Sequence, residues 1–235
     1  MTVRIGTAGW SIRREQAALF GEGSSHLARY ATRFSAVEIN SSFYRPHRRA
    51  TYERWAASVP ADFRFAVKLP RSITHDARLA PEDGLLQAFL EQVAGLGPNL
   101  GPLLVQLPPS LIFAPKTAAA FFADLRTRFT GALACEPRHA SWFGKPAEAL
   151  LRKYRVVRVA ADPPPAPGAA EPGGWDGYRY VRWHGSPVMY RSEYAPERLA
   201  ALAPDLDDGD WCIFDNTANG AATPNALSLM ERLKA

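Results

Sequence analysis

Cysteine is scarce in this chain of 235 residues, which contains only Cys135 and Cys212, far apart in the sequence. So low a cysteine content argues against a disulfide scaffold and fits a reducing compartment. No uncharged apolar run is long enough to span a membrane, and the mean hydropathy is −0.20. Arginines stand near the N-terminus, where a secretion signal would carry its apolar stretch. We therefore expect a cytoplasmic protein that makes no contact with membranes.

Several motifs that define common enzyme classes are also missing. The glycines of the first predicted strand are not followed by the Gly-Lys-Ser/Thr of a phosphate-binding loop, and no Gly-x-Gly-x-x-Gly follows a strand. The Gly-x-Ser-x-Gly of serine hydrolases and the His-x-His or His-Glu-x-x-His spacings of metal sites do not occur. These absences argue against P-loop, dinucleotide-binding and serine-hydrolase classes, and we expect neither a cofactor nor a resident metal.

Positive charge is only in slight excess, with 28 Lys and Arg against 23 Asp and Glu, but the basic residues are concentrated. Residues 45–78 contain eight Lys or Arg and three Asp or Glu, and residues 126–158 contain eight and two. Residues 159–235 reverse the balance, with six basic and eleven acidic side chains. The two basic regions predict a surface that attracts phosphates or nucleic acid, although an arginine-rich but ordinary surface gives the same pattern.

Short β-branched or aromatic runs alternate with helical patterns along the chain, which is typical of a parallel sheet with crossover helices. We predict eight strands, at residues 3–9, 36–40, 64–69, 103–107, 133–137, 156–160, 178–184 and 212–216. We predict helices between and after them, at residues 27–34, 51–58, 85–96, 117–129, 147–154, 196–203 and 225–234.

Eight strands in so short a chain predict a single domain over residues 1–235 with the α/β fold of a TIM-type (β/α)8 barrel. A doubly wound open sheet is the alternative, because a strand count does not prove that a sheet closes. Residues 163–174 are too rich in proline and glycine for a helix, so a loop replaces the helix between strands six and seven. The same composition predicts that this loop is mobile and dispensable for folding.

Polar side chains end several predicted strands at positions that alternate with apolar neighbours. They are Glu38 and Asn40, Lys68, Gln106, Glu136 and Arg138, Arg182 and His184, and Asn216. Because chemistry in such barrels collects at the carboxyl ends of the strands, these residues predict a convergent polar pocket at that mouth. The alternative is a set of mutual ion pairs that merely closes this end of the barrel.

Short segments carry these residues in order along the chain. They are Ile-Gly-Thr-Ala-Gly-Trp at 5–10, Val-Glu-Ile-Asn-Ser-Ser-Phe-Tyr at 37–44, Phe-Ala-Val-Lys at 65–68 with Ile-Thr-His at 73–75, Val-Gln-Leu-Pro-Pro at 105–109, Glu-Pro-Arg-His-Ala-Ser-Trp at 136–142, Arg-Trp-His-Gly at 182–185 and Phe-Asp-Asn at 214–216. The set resembles the domain-of-unknown-function 72 (DUF72, YecE-like) family. That resemblance implies a TIM-type barrel, similar in fold to the endonuclease IV and xylose isomerase barrels, and it implies no particular reaction. The family's usual Gly-Trp-Ser-Tyr opening reads Gly-Trp-Ser-Ile at 9–12.

The candidate site residues divide into two groups. We predict catalytic roles for Glu38, Lys68, His75, Glu136, His139 and His184. We predict substrate-binding roles for Trp10, Asn40, Tyr44, Gln106, Arg138, Trp142, Arg182 and Asn216. For each of the three histidines a hydrogen-bonded structural role is the alternative, and for Trp10, Tyr44 and Trp142 packing over the rim is the alternative to stacking on a sugar or base.

These residues favour an enzyme that acts on a phosphate- or sugar-bearing anion, with a hydrolase using carboxylate and histidine acid–base chemistry as one candidate. Since three cations would outnumber one or two carboxylates, an anionic ligand should lodge among Lys68, Arg138 and Arg182. Two alternatives remain: a non-catalytic nucleic-acid-binding protein, and a metal-dependent phosphodiesterase similar to the endonuclease IV barrels. The ligands for that metal would come from Glu38, Glu136, Asp162, His184 and Asp215.

Overall fold

The computed structural model describes residues 3–234. Within them lie ten strands: β1 (Arg4–Thr7), β2 (Ala36–Ile39), β3 (Arg64–Lys68), β4 (Leu100–Gln106), β5 (Leu133–Glu136), β6 (Val156–Arg158), β7 (Ala160–Asp162), β8 (Gly173–Gly174), β9 (Tyr180–Trp183) and β10 (Trp211–Phe214). The same range contains eight α-helices: α1 (His26–Tyr30), α2 (Ser41–Tyr44), α3 (Arg49–Ala56), α4 (Leu85–Val93), α5 (Pro115–Arg128), α6 (Lys145–Lys153), α7 (Pro196–Leu202) and α8 (Ala222–Arg232). All eight predicted strands are present, and the sixth is divided into β6 and β7.

The strands form two sheets rather than one continuous closed sheet. β2 to β6 are parallel neighbours in chain order, with β8 added antiparallel to β6. The second sheet has the parallel order β1-β10-β9-β7. Two connections join the sheets, because Val159 alone separates β6 from β7 and Ala8 forms an isolated parallel bridge with Glu38. The architecture is therefore a mixed α/β fold in two adjoining sheets.

One face of both sheets carries a small apolar cluster, which we call the inner cluster. Its buried members are Ala36, Ala66, Leu104, Ala134, Val157, Val159, Tyr180, Trp211 and Ile213. Small alanines on three strands leave room for Tyr180 and Trp211, whose rings stack with centroids 6.0 Å apart. On a strand, a residue and the residue two positions after it point to the same face of the sheet. That spacing brings the polar residues Glu38, Lys68, Gln106, Glu136, Arg182 and Asp215 to one end of the inner cluster.

The opposite face of the strands packs against helices in the main hydrophobic core. α5 contributes Phe121, Phe122 and Leu125 to that core. Prolines lie in the first turn of α5, α6 and α7, where the missing backbone N–H would have no helical partner. The longer helices therefore cover the outer face and leave the carboxyl ends of the strands to loops and short helical turns.

The crossover from β7 to β9 follows the predicted loop, since residues 163–179 of the described chain form no helix. The loop is nevertheless anchored. Ala161 N–H donates to the carbonyl oxygen of Ala169 at 2.8 Å, and the Ala169 side chain is buried. Arg158 Nη1 donates to the carbonyl oxygens of Gly168 and Glu171, each at 3.0 Å. These contacts argue against the predicted mobility, because a buried guanidinium holds the loop where apolar surface is lacking. That the loop is dispensable for folding stays a prediction.

The sequence pattern does not predict two short helical turns at the carboxyl ends of β2 and β3. α2 follows β2 directly, and Ser42 Oγ fastens it by donating to the carbonyl oxygen of Lys68 at 2.6 Å. A π-helical turn, Ser72–Asp76, follows β3. Together these turns place Phe43 and His75 in edge-to-face contact, with ring centroids 4.8 Å apart.

Candidate active site

Arg182 is the centre of an ion-pair cluster at the carboxyl ends of β2, β5, β9 and β10. Its guanidinium is fully buried and donates to both oxygens of Glu38, with Nε–Oε2 3.0 Å and Nη2–Oε1 2.7 Å. Nη2 lies 3.0 Å from Oδ2 of Asp215, and Nη1 donates to Oε2 of Glu136. A cation at this depth requires such partners, since an unpaired buried ion costs several kcal/mol.

Glu38 is saturated by donors from the protein. Tyr180 Oη donates to Glu38 Oε2 at 2.8 Å, beside the bonds from Arg182, and the Glu38 side chain is fully buried. Burial, followed by the Glu38 charge, holds the pKa of Tyr180 well above its ordinary value, so the phenol keeps the proton that it donates. Glu38 therefore holds Arg182 in position, and the predicted acid–base role has no exposed carboxylate oxygen to support it.

His184 bridges the other two carboxylates of the cluster. Its Nε2 lies 3.0 Å from Oε1 of Glu136, and its Nδ1 lies 3.1 Å from Oδ2 of Asp215. Burial alone would lower the pKa of His184, but Glu136 and the two hydrogen bonds raise it overall. Burial alone would raise the pKa of Glu136, but Arg182, His184 and Arg138 hold it well below its ordinary value. The imidazole thus keeps its proton to a higher pH than a free histidine does.

Lys68 ends β3 on the same face, with only 9% of its surface exposed. Its Nζ lies 4.1 Å from the centroid of the Phe43 ring. Within residues 3–234, no carboxylate comes within ion-pair distance of this ammonium. Burial, followed by the Arg182 charge, lowers the pKa of Lys68 to about 8, against the opposing effect of Glu136, Glu38 and Asp215. Lys68 is therefore a lysine that exchanges its proton near physiological pH.

Arg138 lies above the cluster with its side chain 19% exposed. Its Nη2 and Nε are 3.2 and 3.3 Å from Oε1 of Glu136. Burial would lower the pKa of Arg138, but Glu136 raises it overall. Tyr190, from the loop after β9, brings its hydroxyl to 3.5 Å from both terminal nitrogens of Arg138. Arg138 is the arginine of the cluster that solvent and ligands can reach.

The charge balance differs from the prediction, because a third carboxylate is present. Glu38, Glu136 and Asp215 face the cations Lys68, Arg138 and Arg182. Arg182 is fully buried and donates four hydrogen bonds to carboxylates, so the predicted contact between Arg182 and a ligand has no accessible surface to support it. With His184 protonated, the cluster carries a single excess positive charge, and the cations that keep some exposed surface are Lys68 and Arg138.

Asp215, not Asn216, belongs to the cluster. Burial would raise the pKa of Asp215, but Arg182 and His184 hold it below its ordinary value. Asn216 points the other way, where its Nδ2 donates to the carbonyl oxygen of Ser192 and to Oδ1 of Asn225, both at 2.9 Å. These bonds give Asn216 a structural role, but its Oδ1 is buried without a hydrogen-bond partner in the described residues, so its binding role stays a prediction. The sequence could have identified Asp215 through Ile213, which belongs to the inner cluster. Asp215 lies two positions after Ile213, so the two side chains share a face of the sheet.

The other two candidate histidines have different surroundings. His75 is half-buried beside Phe43. Burial, with Lys68, Arg71 and Arg138, lowers the pKa of His75 to about 4, so its imidazole is neutral. His139 caps a short 3-10 helix, Ala140–Phe143, by accepting from Ser141 N–H at 3.2 Å. His75 Nδ1 also has a local partner, Thr74 Oγ1 at 2.9 Å, so both rings are held locally. His75 stays a candidate because it lies beside Phe43 at the mouth.

The predicted aromatic binding residues are also divided. Trp142 is 1% exposed and donates from Nε1 to the carbonyl oxygen of Leu111 at 2.9 Å, so it packs in the core and cannot stack on a ligand. Trp10 packs edge-on against Trp55, with centroids 5.0 Å apart. Tyr44 is 80% exposed and contacts Phe43 at 5.1 Å, which leaves one of its faces open at the mouth.

The other two predicted amides, Gln106 and Asn40, lie close to the strand ends. Gln106 is buried, and its Nε2 donates to the carbonyl oxygen of Leu107 at 2.9 Å. Asn40 Oδ1 is buried and has no hydrogen-bond partner within residues 3–234. An unpartnered buried acceptor is costly, so Asn40 is an amide that a bound ligand or water would satisfy, and the same holds for Asn216 Oδ1.

The carboxylates do not form a metal site in this arrangement. Across the described range 3–234, no three or more His, Cys, Asp and Glu side chains are placed to hold a metal ion. Arg182 is the cation that contacts Glu38, Glu136 and Asp215. Asp162, another candidate ligand, pairs with Arg198 instead. The residues present therefore do not fit a metal centre of the endonuclease IV kind.

Fold and site together define a class: α/β proteins with an ion-pair cluster at the carboxyl ends of parallel strands. The particular family follows from comparison with known sequences. Residues 4–235 match the family described as "Protein of unknown function DUF72", and this chain belongs to it. The resemblance of the short segments to DUF72 is confirmed. No helix in the described chain is both long and apolar enough to cross a membrane.

Curated relatives of this chain come from two bacteria. The UPF0759 protein YecE of Escherichia coli is 32% identical over 155 residues, which is 63% of this chain and 56% of that protein. The match thus spans little more than half of that relative's length. The UPF0759 protein YunF of Bacillus subtilis is 27% identical over 268 residues, covering 98% of this chain and 94% of that protein.

Solved structures show the same fold in the family. A DUF72 family protein from Thermotoga maritima has a TM-score of 0.80 and 25% identity, with 100% of both chains covered. Another from Enterococcus faecalis has a TM-score of 0.81 and 23% identity, covering 100% of this chain and 96% of that one. The protein SacUVDE, at 10% identity and a TM-score of 0.60 over 99% of this chain and 98% of that one, shares the fold alone.

Proposed function

We propose that this protein is an enzyme that binds a small anionic substrate, phosphate- or sugar-phosphate-bearing, at the carboxyl ends of its strands. The observation that carries the proposal is a pair of cations that keep some exposed surface, Lys68 at 9% and the Arg138 side chain at 19%, beside the buried ion pairs of Arg182. Within residues 3–234, Lys68 lacks an ion-pair partner, and Arg138 shares Glu136 with Arg182 and His184. An anion between the two cations would offset the excess positive charge.

The groups that could exchange protons with a substrate are few. Glu38 and Arg182 are fully buried, and ionic partners hold Glu136 and Asp215 in the carboxylate form. Lys68, with a pKa of about 8, is the group best matched to acid–base work near neutral pH. His75, neutral and beside Phe43, is a second candidate, and Asn40 and Tyr44 would orient the substrate.

The site needs both sheets, which supports the fold expected from the sequence. Side chains of β2 and β5 in one sheet bond to Arg182 on β9 in the other. Gly9 N–H donates to the carbonyl oxygen of Glu38 at 2.9 Å, beside the bridge from Ala8. We therefore propose that residues 1–235 form one (β/α)8-type barrel domain, with the cluster at its carboxyl mouth.

Titration calorimetry with inorganic phosphate at low ionic strength tests the proposed anion site. We expect binding by the wild-type protein and at least a ten-fold loss of affinity in Arg138→Gln. Arg128→Gln is the matched control, since Arg128 pairs with Asp124 on the exposed surface of α5. This control removes the same charge but should bind phosphate like the wild type.

Denaturant melts of the same variants separate binding from folding. Arg138→Gln should lose no more than about 1 kcal/mol of unfolding free energy, because Glu136 keeps Arg182 and His184 as partners. Unchanged phosphate affinity, together with a loss of several kcal/mol, would mean that these charges only hold the strand ends together and would refute the proposal.

A second candidate function is binding of single-stranded nucleic acid. It is favoured by the exposed large hydrophobic side chains, which all follow the carboxyl ends of strands. They are Leu19, Tyr44, Ile112, Val188, Met189 and Tyr190. Tyr44 is the most exposed at 80%, and the exposed Arg45 and Arg48 follow it. Exposed aromatic rings next to arginines suit stacking on bases beside backbone phosphates.

Salt dependence distinguishes the two candidates. Oligonucleotide binding should weaken log-linearly with salt and should fall in Tyr44→Ala, because counterion release and stacking supply the affinity. Binding of inorganic phosphate in the pocket should depend much less on salt. Fluorescence anisotropy with a labelled deoxythymidine 12-mer at several salt concentrations measures the first behaviour, and its absence removes this candidate.

A further inference from the structure

We propose that Lys68 is a covalent nucleophile that forms an imine with the carbonyl carbon of a phosphorylated carbonyl compound, such as an open-chain sugar phosphate. This inference rests on the proposed function, since it gives the anionic substrate a second, reactive group. It gives a reason for a lysine at a strand end in a protein whose basic residues are mostly arginines. The chain contains 23 arginines and only five lysines.

The position of Lys68 separates it from the other lysines. Lys116, Lys145, Lys153 and Lys234 are exposed, whereas Lys68 is 9% exposed at the end of β3. The Phe43 ring lies against its ammonium, and Ser42 Oγ holds its carbonyl oxygen at 2.6 Å. The backbone and the end of the side chain are therefore both positioned, as a nucleophile requires.

The surroundings of Lys68 favour the neutral amine, which is the reactive form. The three carboxylates of the cluster are engaged by Arg182, His184 and Arg138, and none lies within 4.0 Å of Lys68 Nζ. The Arg182 guanidinium is fixed in the same cluster. A lysine placed in a partly apolar site next to another cation is a recognised arrangement for an amine nucleophile. Its lowered pKa agrees with this geometry.

The covalent step balances without an oxidant or a reductant. The neutral amine nitrogen attacks the carbonyl carbon, a C–N bond forms, and a proton passes from nitrogen to oxygen to give a carbinolamine. The C–O bond then breaks as one further proton is taken up from solvent, and the oxygen leaves as water. The product is a protonated imine, whose positive charge can accept the electron pair of a neighbouring C–H or C–C bond.

The phosphate of such a substrate would lie on Arg138, the more exposed of the two cations. This division of roles frees Lys68 for the carbonyl carbon. The ligand class is therefore a carbonyl compound with a phosphate group in the same molecule. Dihydroxyacetone phosphate is a suitable probe, because a ketone reacts slowly with ordinary exposed lysines.

Reductive trapping tests the proposal. The wild-type protein is incubated with dihydroxyacetone phosphate and sodium cyanoborohydride, and peptide mapping by mass spectrometry measures adducts at each of the five lysines. We expect Lys68 to be labelled at least ten-fold faster than the four exposed lysines, with a rate that rises through pH 8. Dihydroxyacetone without phosphate should label Lys68 at least ten-fold more slowly.

The variant Lys68→Arg separates failure of this proposal from failure of the anion site. It keeps the charge, so it should still bind inorganic phosphate by calorimetry, but it should give no adduct at position 68. Lys145→Arg is the matched control and should leave labelling of Lys68 unchanged. Labelling of Lys68 no faster than that of exposed lysines overturns the imine proposal even where phosphate still binds. Equal labelling by both probes overturns the phosphate requirement.

Discussion

Two buried arginines, Arg182 on β9 and Arg158 on β6, have different kinds of partner. In the described chain, every hydrogen bond from Arg182 goes to a carboxylate of Glu38, Glu136 or Asp215. Arg158 pairs with Glu148, donates to the carbonyl oxygens of Gly168 and Glu171, and lies 4.8 Å from the Phe143 ring centroid. Arg182 is thus surrounded by several carboxylates, whereas Arg158 has one carboxylate partner and otherwise contacts neutral groups.

This difference separates the candidate functional site around Arg182 from the structural anchor that Arg158 forms. The partners of Arg158 neutralise it and fasten the loop of residues 163–174 to the sheet. Around Arg182 the carboxylates outnumber the guanidinium, so they hold further cations, His184 and Arg138, and leave Lys68 close by without an ion-pair partner in residues 3–234. The surplus charge reaches solvent at the mouth, where a ligand can respond to it.

Arg182→Met should have the largest effect on stability. The change leaves two buried carboxylates and the partly buried Asp215 without their central cation, so we expect a loss of about 5 kcal/mol of unfolding free energy at pH 7. The loss relative to wild type should shrink at pH 5, because unpaired buried carboxylates have raised pKa values and take up protons. Urea denaturation at both pH values measures this.

Arg182→Lys is the companion variant if the methionine variant does not fold. It keeps the charge but loses the fork that contacts both oxygens of Glu38. An intermediate loss of about 2 kcal/mol is expected. A methionine variant within about 1 kcal/mol of wild type would contradict the view that Arg182 centres an essential network.

Arg158→Met should cost less, about 3 kcal/mol, because a single carboxylate and two backbone carbonyls lose their partner. The damage should be local. Hydrogen exchange should show lost protection at Ala161, whose N–H bonds to Ala169, while phosphate affinity should equal that of the wild type. A drop in phosphate affinity would show that the two arginines are not independent.

Lys68→Met should change stability in the opposite direction. Holding a charged lysine in this site is unfavourable, since burial and Arg182 lower its pKa from 10.5 to about 8. A base with a depressed folded-state pKa makes stability rise with pH between the folded and unfolded values, here pH 8 to 10.5. The variant should therefore be more stable by about 1–3 kcal/mol at pH 7.

The pH dependence of that difference is the sharper measurement. The advantage of Lys68→Met over wild type should be complete below pH 8 and should disappear as the pH approaches 10.5. Comparing the two proteins cancels the titration of the tyrosines and exposed lysines. An advantage that does not depend on pH would mean that the methionine side chain simply packs better, without relief of a charge.

Much of this site is predictable from strand parity alone. Alternation on β2, β3, β5 and β9 places Glu38, Lys68, Glu136 and Arg182 on one face, because a buried sheet enforces one orientation for every second residue. The same alternation misplaces the end of β10. Asp215 and Asn216 are adjacent polar residues just beyond Phe214, so the parity depends on recognising Ile213 as an inner residue.

Partner choice is the part that the sequence does not specify. Parity places Arg182 at the mouth, but only the three-dimensional arrangement shows that carboxylates from β2, β5 and the end of β10 saturate it. The anchoring of the proline-rich loop is similar. Its composition argues correctly against a helix, yet its packing depends on Arg158, which precedes it in sequence and belongs to another element.

The smallest effect should come from Tyr190→Phe, in the loop after β9. The Tyr190 hydroxyl lies 3.5 Å from the Arg138 nitrogens, at the limit of a hydrogen bond, so its loss should change stability by less than about 0.5 kcal/mol and phosphate affinity by less than about two-fold. Tyr194→Phe, from the same loop, is the matched control. Its buried hydroxyl accepts from Gly185 N–H at 2.8 Å and donates to the carbonyl oxygen of Asp162 at 2.9 Å, so about 1–3 kcal/mol should be lost. A ten-fold loss of phosphate affinity in Tyr190→Phe would instead place that phenol in the binding site beside Arg138.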